Sequence, residues 1–303
     1  MRGLIARDPD EVSESMADLF AAGGKRVRPA LVLLTAKIGH YDLELLAPAA
    51  MAVELTHAAT LVHDDIIDRA ELRRGRPTVA ARLGDEPAIV IGDFYFAKAY
   101  EQAARSDSAE VVEILARSVM EICAGEVRQQ SIRHHYAPNI DEYMSRIEAK
   151  TATLLAACCD IGALLGGLPD GQRIALREYG RVIGLAFQIA DDVLDYTGSE
   201  DEVGKPIGHD LVEGFATMPL MLALKGGGGM GELQRMLVDG RSLSVEEARR
   251  ITDIVRESGA TEVALERARE LAAQARAQLA NVPDNEASRT LASLTEYVVS
   301  RTF

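Results

Sequence analysis

Tryptophan is absent from this chain of 303 residues, and aromatic side chains of all kinds make up 5% of it. Its core must therefore be filled by aliphatic residues, and the abundant Ala, Leu, Glu and Arg favour helices throughout. Cysteines are few. Cys123, Cys158 and Cys159 show neither metal-ligand nor disulfide spacing, which argues against a disulfide-stapled domain and fits a reduced cytoplasm. Positive charge is also scarce: 33 Lys and Arg against 47 Asp and Glu leave a net charge of −14. That balance argues against a nucleic-acid binder and makes each basic cluster informative. No apolar leader precedes the first amphipathic stretch, and no run of 18 or more apolar residues is free of charge. Neither a signal peptide nor a transmembrane segment is predicted.

What is present is a pair of acidic motifs. Residues 53–78 read V-E-L-T-H-A-A-T-L-V-H-D-D-I-I-D-R-A-E-L-R-R-G-R-P-T. On a helix Asp64 and Asp68 share one face, with Asp65 beside them, so three carboxylates repel one another. A divalent cation relieves that repulsion, and hard oxygen ligands suit Mg²⁺. Arg73 and Arg74 follow, with planar forks that match phosphate oxygens. Far downstream, residues 184–198 repeat the D-D-x-x-D spacing at Asp191, Asp192 and Asp195. Each motif ends an apolar helical run, so both acidic ends should crown buried helices. One such motif alone could be a solvated helix face or an N-cap; two with basic partners describe a site for a metal-bound diphosphate.

Along the chain, helices are expected at 8–22, 30–38, 47–68, 86–105, 107–133, 140–165, 170–195, 217–224, 231–238, 244–258, 261–280 and 285–301. Lys25, Arg26 and Arg28 precede the second of these. They read either as an anion site supported by a helix N-terminus or as exposed cations paired with the acidic first helix. Pro48 is placed in the first turn of its helix, where a missing amide is harmless. His57 lies two turns before Asp64 and reads as a core residue or a diphosphate donor; His63 reads as hydrogen-bonded within the bundle. Lys150 and Thr151 interrupt an apolar face, and a buried lysine needs a partner, either a ligand or the acidic clusters. Residues 197–214, rich in Gly and charge, read as a flap that could deliver Lys205. With no internal repeat and no long linker, a single domain over residues 1–303 is expected.

The pieces G-G-K-R-V-R-P, E-L-T-H-A-A-T-L-V-H-D-D-I-I-D, E-L-R-R-G-R-P-T, K-T-A-T-L, F-Q-I-A-D-D-V-L-D and G-K-P-I-G-H-D-L, in this order and spacing, resemble the trans-isoprenyl diphosphate synthases (polyprenyl synthetases) over nearly the whole chain. The resemblance implies an all-α orthogonal bundle of the isoprenoid-synthase type around a deep central cavity, usually a homodimer. It implies condensation of isopentenyl diphosphate with an allylic diphosphate and an all-trans product. Asp64, Asp68 and Asp191 would bind Mg²⁺, three ions with substrate present, supported by Asp65, Asp192 and Asp195. Lys25, Arg28, His57 and Arg74 would hold isopentenyl diphosphate. Arg73, Lys150, Thr151, Gln188 and Lys205 would hold the allylic diphosphate and steady the developing cation.

Residues four and five before the first Asp face the growing tail in this family, and here they are Thr60 and Ala59. A small residue at 59, with Ala52 and Thr56 below it, leaves the tunnel open and points to geranylgeranyl or longer products. Phe96 or Tyr95 could form a floor or could be plain core. Phe215 stands where many members carry a Lys, which puts diphosphate affinity in question. The remaining alternatives are a shorter-product synthase and a non-catalytic subunit of a hetero-oligomeric synthase. Two further rivals are a class I terpene cyclase, whose second motif is missing here, and a helical scaffold with acidic ends. An apolar product could bring the protein transiently to a membrane.

Overall fold

The computed structural model describes residues 10–21, 23–137, 139–198, 207–226 and 230–300. Its chain divides by compactness into two units, Met1–Arg117 with Asp160–Leu168, and Ser118–Cys159 with Pro169–Phe303.

In the first unit α1 (Asp10–Ala21) and α2 (Val27–Ile38) precede the long α3 (Leu43–Ile67). α2 begins three residues earlier than expected, so Arg28 and Pro29 lie in its first turn, where a missing amide leaves no bond unmade. α3 also starts early, because the Asp42 side chain accepts from the Glu44 amide and caps it. Pro48 consequently sits in the second turn, not the first as expected, and the Glu44 carbonyl loses its helical partner there. Val53, Leu55, Ala58, Ala59 and Val62 bury α3, and α5 (Asp85–Ala104) packs along it. His63 Nε2 meets the Ile89 carbonyl at 3.1 Å, and its ring lies 5.8 Å from that of Phe96, the bundle role expected of it. Tyr95 is fully buried. Among the described residues α3 is the helix long and apolar enough to cross a membrane, and 61% of that stretch is buried inside the protein.

Between α3 and α5 lies one short helix, α4 (Val79–Leu83), capped by the Thr78 hydroxyl. A hairpin was not foreseen: β1 (Leu72–Arg73) pairs antiparallel with β2 (Arg76–Pro77). Arg74 and Gly75 connect them with φ of 52° and 73°, the left-handed pair that a tight two-residue hairpin turn demands.

In the second unit, the helix expected at 140–165 is interrupted. α7 (Ile140–Ile147) leads into a π turn, Glu148–Ala152, before α8 (Thr153–Leu165), part of which belongs to the first unit. A π turn is wider than an α turn, and two glycines make room for it. A Cβ on Gly184 would lie 2.6 Å from Ala152 Cα, and one on Gly125 2.5 Å from Ala149 Cβ. Gly125 belongs to α6 (Ala109–Ser131) and Gly184 to α9 (Asp170–Thr197), whose buried face runs from Ala175 to Tyr196. α10 (His209–Val212) and α11 (Met218–Gly226) follow, then α12 (Met230–Met236), α13 (Val245–Glu257), α14 (Ala260–Gln278) and α15 (Glu286–Val299). α13 carries a Ser244 and Glu247 capping box. Of the buried tyrosines, Tyr179 donates its hydroxyl to the Leu291 carbonyl at 2.7 Å and Tyr196 accepts from the Thr217 hydroxyl at 3.1 Å.

Candidate active site

At the end of α3 the three carboxylates are not equivalent. Asp65 is buried and takes Arg73 Nε at 2.8 Å and Nη2 at 2.7 Å, a bidentate pair made possible by the hairpin turning the chain back. Asp64 and Asp68 stay half-exposed. Arg73, expected to be available to phosphate, thus has a resident partner.

The same unit gathers the basic residues. His57 is half-buried on α3. Burial, and then the charges of Arg28, Arg73, Arg74 and Arg26, hold its imidazole well below its ordinary value. It is neutral near pH 7 and can donate one N–H. Burial, then Arg73 and Arg26, also lower Arg74, whose Nη1 donates to the Gly23 carbonyl. Arg26 pairs with buried Glu54 of α3. Lys25 is exposed on the preceding loop.

At the end of α9 the division recurs with different partners. Asp191 is exposed. Asp192 is buried and accepts from Tyr143 Oη and Gln188 Nε2, each at 2.7 Å. Asp195 accepts from the amides of His209 and Asp210, each at 3.1 Å, and so caps α10. Burial pushes Asp192 up to about 7 and Asp195 up to about 8, with the charge of Asp210 adding to both. Tyr143 is pushed well above its ordinary value by burial and by Asp192, and it stays a donor.

The chain of bonds continues into the π turn. Thr151 Oγ1 donates to Gln188 Oε1 at 2.6 Å, so both ends of the Gln188 amide are engaged. Lys150, expected against a ligand or the acidic clusters, lies 3.4 Å from Glu126 of α6. Lys205 falls outside the described residues. Phe215 is buried between the Arg133 and Arg146 guanidiniums, 5.7 and 5.6 Å from its ring centre, and Arg146 also covers Tyr143 at 5.4 Å. Thus Arg146 lies over both the Phe215 and the Tyr143 rings.

Sequence reasoning missed Tyr143, Glu126 and Glu54. Glu54 alone carried a signal, a charge inside an apolar helix; the other two act across gaps of 49 and 24 residues. Among the described residues no three His, Cys, Asp or Glu side chains are grouped to hold a metal by themselves. The exposed carboxylates fit Mg²⁺ in another way, since that ion keeps its waters and is held by one or two carboxylates plus substrate phosphates.

The sequence profile of polyprenyl synthetases matches residues 9–255. This chain belongs to the polyprenyl synthetase family. A family relative, the heptaprenyl diphosphate synthase component 2 of Bacillus subtilis, is 35% identical over 99% of this chain and 85% of its own length. The heptaprenyl diphosphate synthase structure from Staphylococcus aureus superposes with a TM-score of 0.94 at 31% identity, covering 99% of this chain and 94% of that one. A polyprenyl synthase from Caulobacter crescentus, solved with calcium and isoprenyl diphosphate, gives 0.91 at 37% identity over 98% and 91%. The all-α fold is therefore that of the polyprenyl synthetases, and a similar member binds a divalent cation.

Proposed function

We propose that this chain is a Mg²⁺-dependent prenyltransferase that extends an allylic diphosphate with isopentenyl diphosphate to an all-trans product of geranylgeranyl length or longer. The observation that carries this reading is that in each acidic triad Asp65, Asp192 and Asp195 are buried in bonds that hold the helix end, while Asp64, Asp68 and Asp191 reach solvent, where a metal ion can approach. When bound, magnesium supplies Lewis-acid charge at the leaving diphosphate; three ions with substrate is the arrangement we favour.

Isopentenyl diphosphate binds Lys25, Arg28, His57 and Arg74, where the neutral imidazole offers a hydrogen bond and the guanidiniums offer charge. Arg73, Lys150, Thr151, Gln188 and Lys205 orient the allylic partner. The allylic C–O bond breaks, with its electron pair leaving on the diphosphate. The isopentenyl double bond forms the new C–C bond, and a proton passes to a diphosphate oxygen. No side-chain nucleophile is needed. Apolar walls exclude water from the cation.

Ala52, Thr56 and Ala59 are fully buried, and Thr60 turns its hydroxyl back to the His57 carbonyl at 2.9 Å, leaving its methyl for an apolar tail. That narrow-walled column supports a long product, and Phe96 is the candidate floor. Purified chain given labelled isopentenyl diphosphate and farnesyl diphosphate should yield a longer lipid with Mg²⁺ and none with EDTA, and Ala59→Phe should shorten it. Unchanged product length in that variant removes the chain-length reading.

Exposed Ile89 and Val90 on α5 support a homodimer, and the same reading places the enzyme in the cytoplasm with transient membrane contact during product release. The relative named as component 2 favours a second reading, in which this chain works with a different subunit. A purified chain that is inactive alone and active with a second subunit would decide for it.

A further inference from the structure

Arg146 belongs to α7 and lies one turn after Tyr143. Its guanidinium stands over two rings, 5.4 Å from the centre of Tyr143 and 5.6 Å from that of Phe215, and its Nη2 donates to the Ala216 carbonyl at 2.7 Å. The turn it grips is itself fixed. Arg133 donates Nε to the Glu213 carbonyl at 2.7 Å and Nη2 to the Glu213 carboxylate at 2.6 Å, and the His134 amide donates to the Gly214 carbonyl at 2.8 Å. Residues 213–216 are therefore a firm anchor for Arg146.

Tyr143 needs such a hold. Its side chain is 1% exposed, yet a cavity of about 150 Å³ lies against it, with Ile132, Phe215 and Met221 in the same wall. A ring that borders a cavity lacks dispersion contacts on that side, so packing alone does not confine it. Its hydroxyl is the donor to Asp192 Oδ2 at 2.7 Å; Asp192 in turn takes Gln188 Nε2, and Gln188 Oε1 takes Thr151. A swing of the ring toward the cavity would withdraw that donor from a buried carboxylate.

We infer that Arg146 is a positioning residue for the condensation: stacked on Tyr143 and anchored to Ala216, it holds the Tyr143 hydroxyl on Asp192 and so keeps the end of α9 set to receive a metal-bound diphosphate. The inference rests on the function proposed above. It is the planar guanidinium that serves, facing two rings while bonding a carbonyl, which the compact ammonium of lysine cannot reproduce.

Calorimetric titration of the full chain with inorganic diphosphate in Mg²⁺, together with melting in EDTA, tests it. Arg146→Met should weaken diphosphate binding about tenfold, as expected for a lost hydrogen bond to a charged group, and Tyr143→Phe should weaken it equally. The double variant should bind no worse than either single one and melt less far below wild type than the two single falls combined, because both changes break one link. Arg146→Lys, which keeps the charge, should restore little. In turnover, KM for the allylic diphosphate should rise while kcat stays within about twofold. Losses of binding that multiply in the double variant, strictly additive falls in Tm, or full binding by Arg146→Met beside weak binding by Tyr143→Phe would each overturn the inference. The melts need no ligand, so sub-additive falls in a chain whose unchanged form binds no diphosphate would support the Arg146 link and count only against the proposed function.

Discussion

The two acidic ends carry one motif and resolve its repulsion by different physics. At the end of α3 the inner carboxylate is neutralised by a full charge, Arg73, supplied by a hairpin only eight residues on. At the end of α9 no cation among the described residues bonds to the inner carboxylates; Asp192 and Asp195 accept from a phenol, an amide side chain and two backbone amides. The first end is held by an ion pair of local origin, the second by neutral donors, one of them four residues away and the others 14 to 49. Identical spacing thus leaves one cluster dependent on its charge and the other tolerant of a proton. In both, the outer carboxylates reach solvent.

The largest expected effect tests the inner-versus-outer division. Asp64→Ala and Asp191→Ala should each lower kcat by about 10²-fold or more, while leaving stability within about 0.5 kcal/mol of wild type. Thermal melts that fall as far as those of an inner-carboxylate variant would break it. Next comes the contrast between the ends. Asp65→Ala strands a partly exposed Arg73 and should destabilise by about 1–3 kcal/mol, discounted from a fully buried pair for solvent screening. Adding Arg73→Leu should restore part of that loss, whereas Asp192→Asn, which keeps the shape without the charge, should cost less than about 1 kcal/mol.

The smallest effect is in pH. Asp192 and Asp195 hold protons up to about 7 and 8 in the folded chain, against about 3.9 unfolded. Their contribution to stability is complete below the unfolded value and is lost as pH rises through 8. Melting followed in EDTA should therefore decline from pH 6 to 9, with a shallower decline in Asp192→Asn. Parallel slopes in the two proteins would contradict the burial argument.

Periodicity made the long helices legible, and the paired motifs made the acidic ends legible, because both are written in consecutive residues. Helix ends 217 to 301 were read to within two residues. The π turn was invisible because inserting one residue leaves apolar residues on either side and reads as one helix through 140–165. Two-residue strands have no period, although Arg74-Gly75 is the kind of dipeptide that makes a tight turn. Pro48 was misplaced because the Asp42 cap was overlooked. Tyr143 and Glu126 carry no local sign of their partners, since those contacts exist only once helices pack.

The π turn also constrains how this chain can vary in length. A π turn holds one residue more than an α turn, so the extra residue within Glu148–Ala152 is absorbed as a local widening between α7 and α8. Deleting one residue there would let the backbone close into a regular α-helix, with buried Leu154, Leu155, Cys158 and Cys159 of α8 kept close to their present places. Deleting one within α8 itself would turn every later side chain by about 100° around the axis, which makes the π turn the point where this helix best tolerates a change of length.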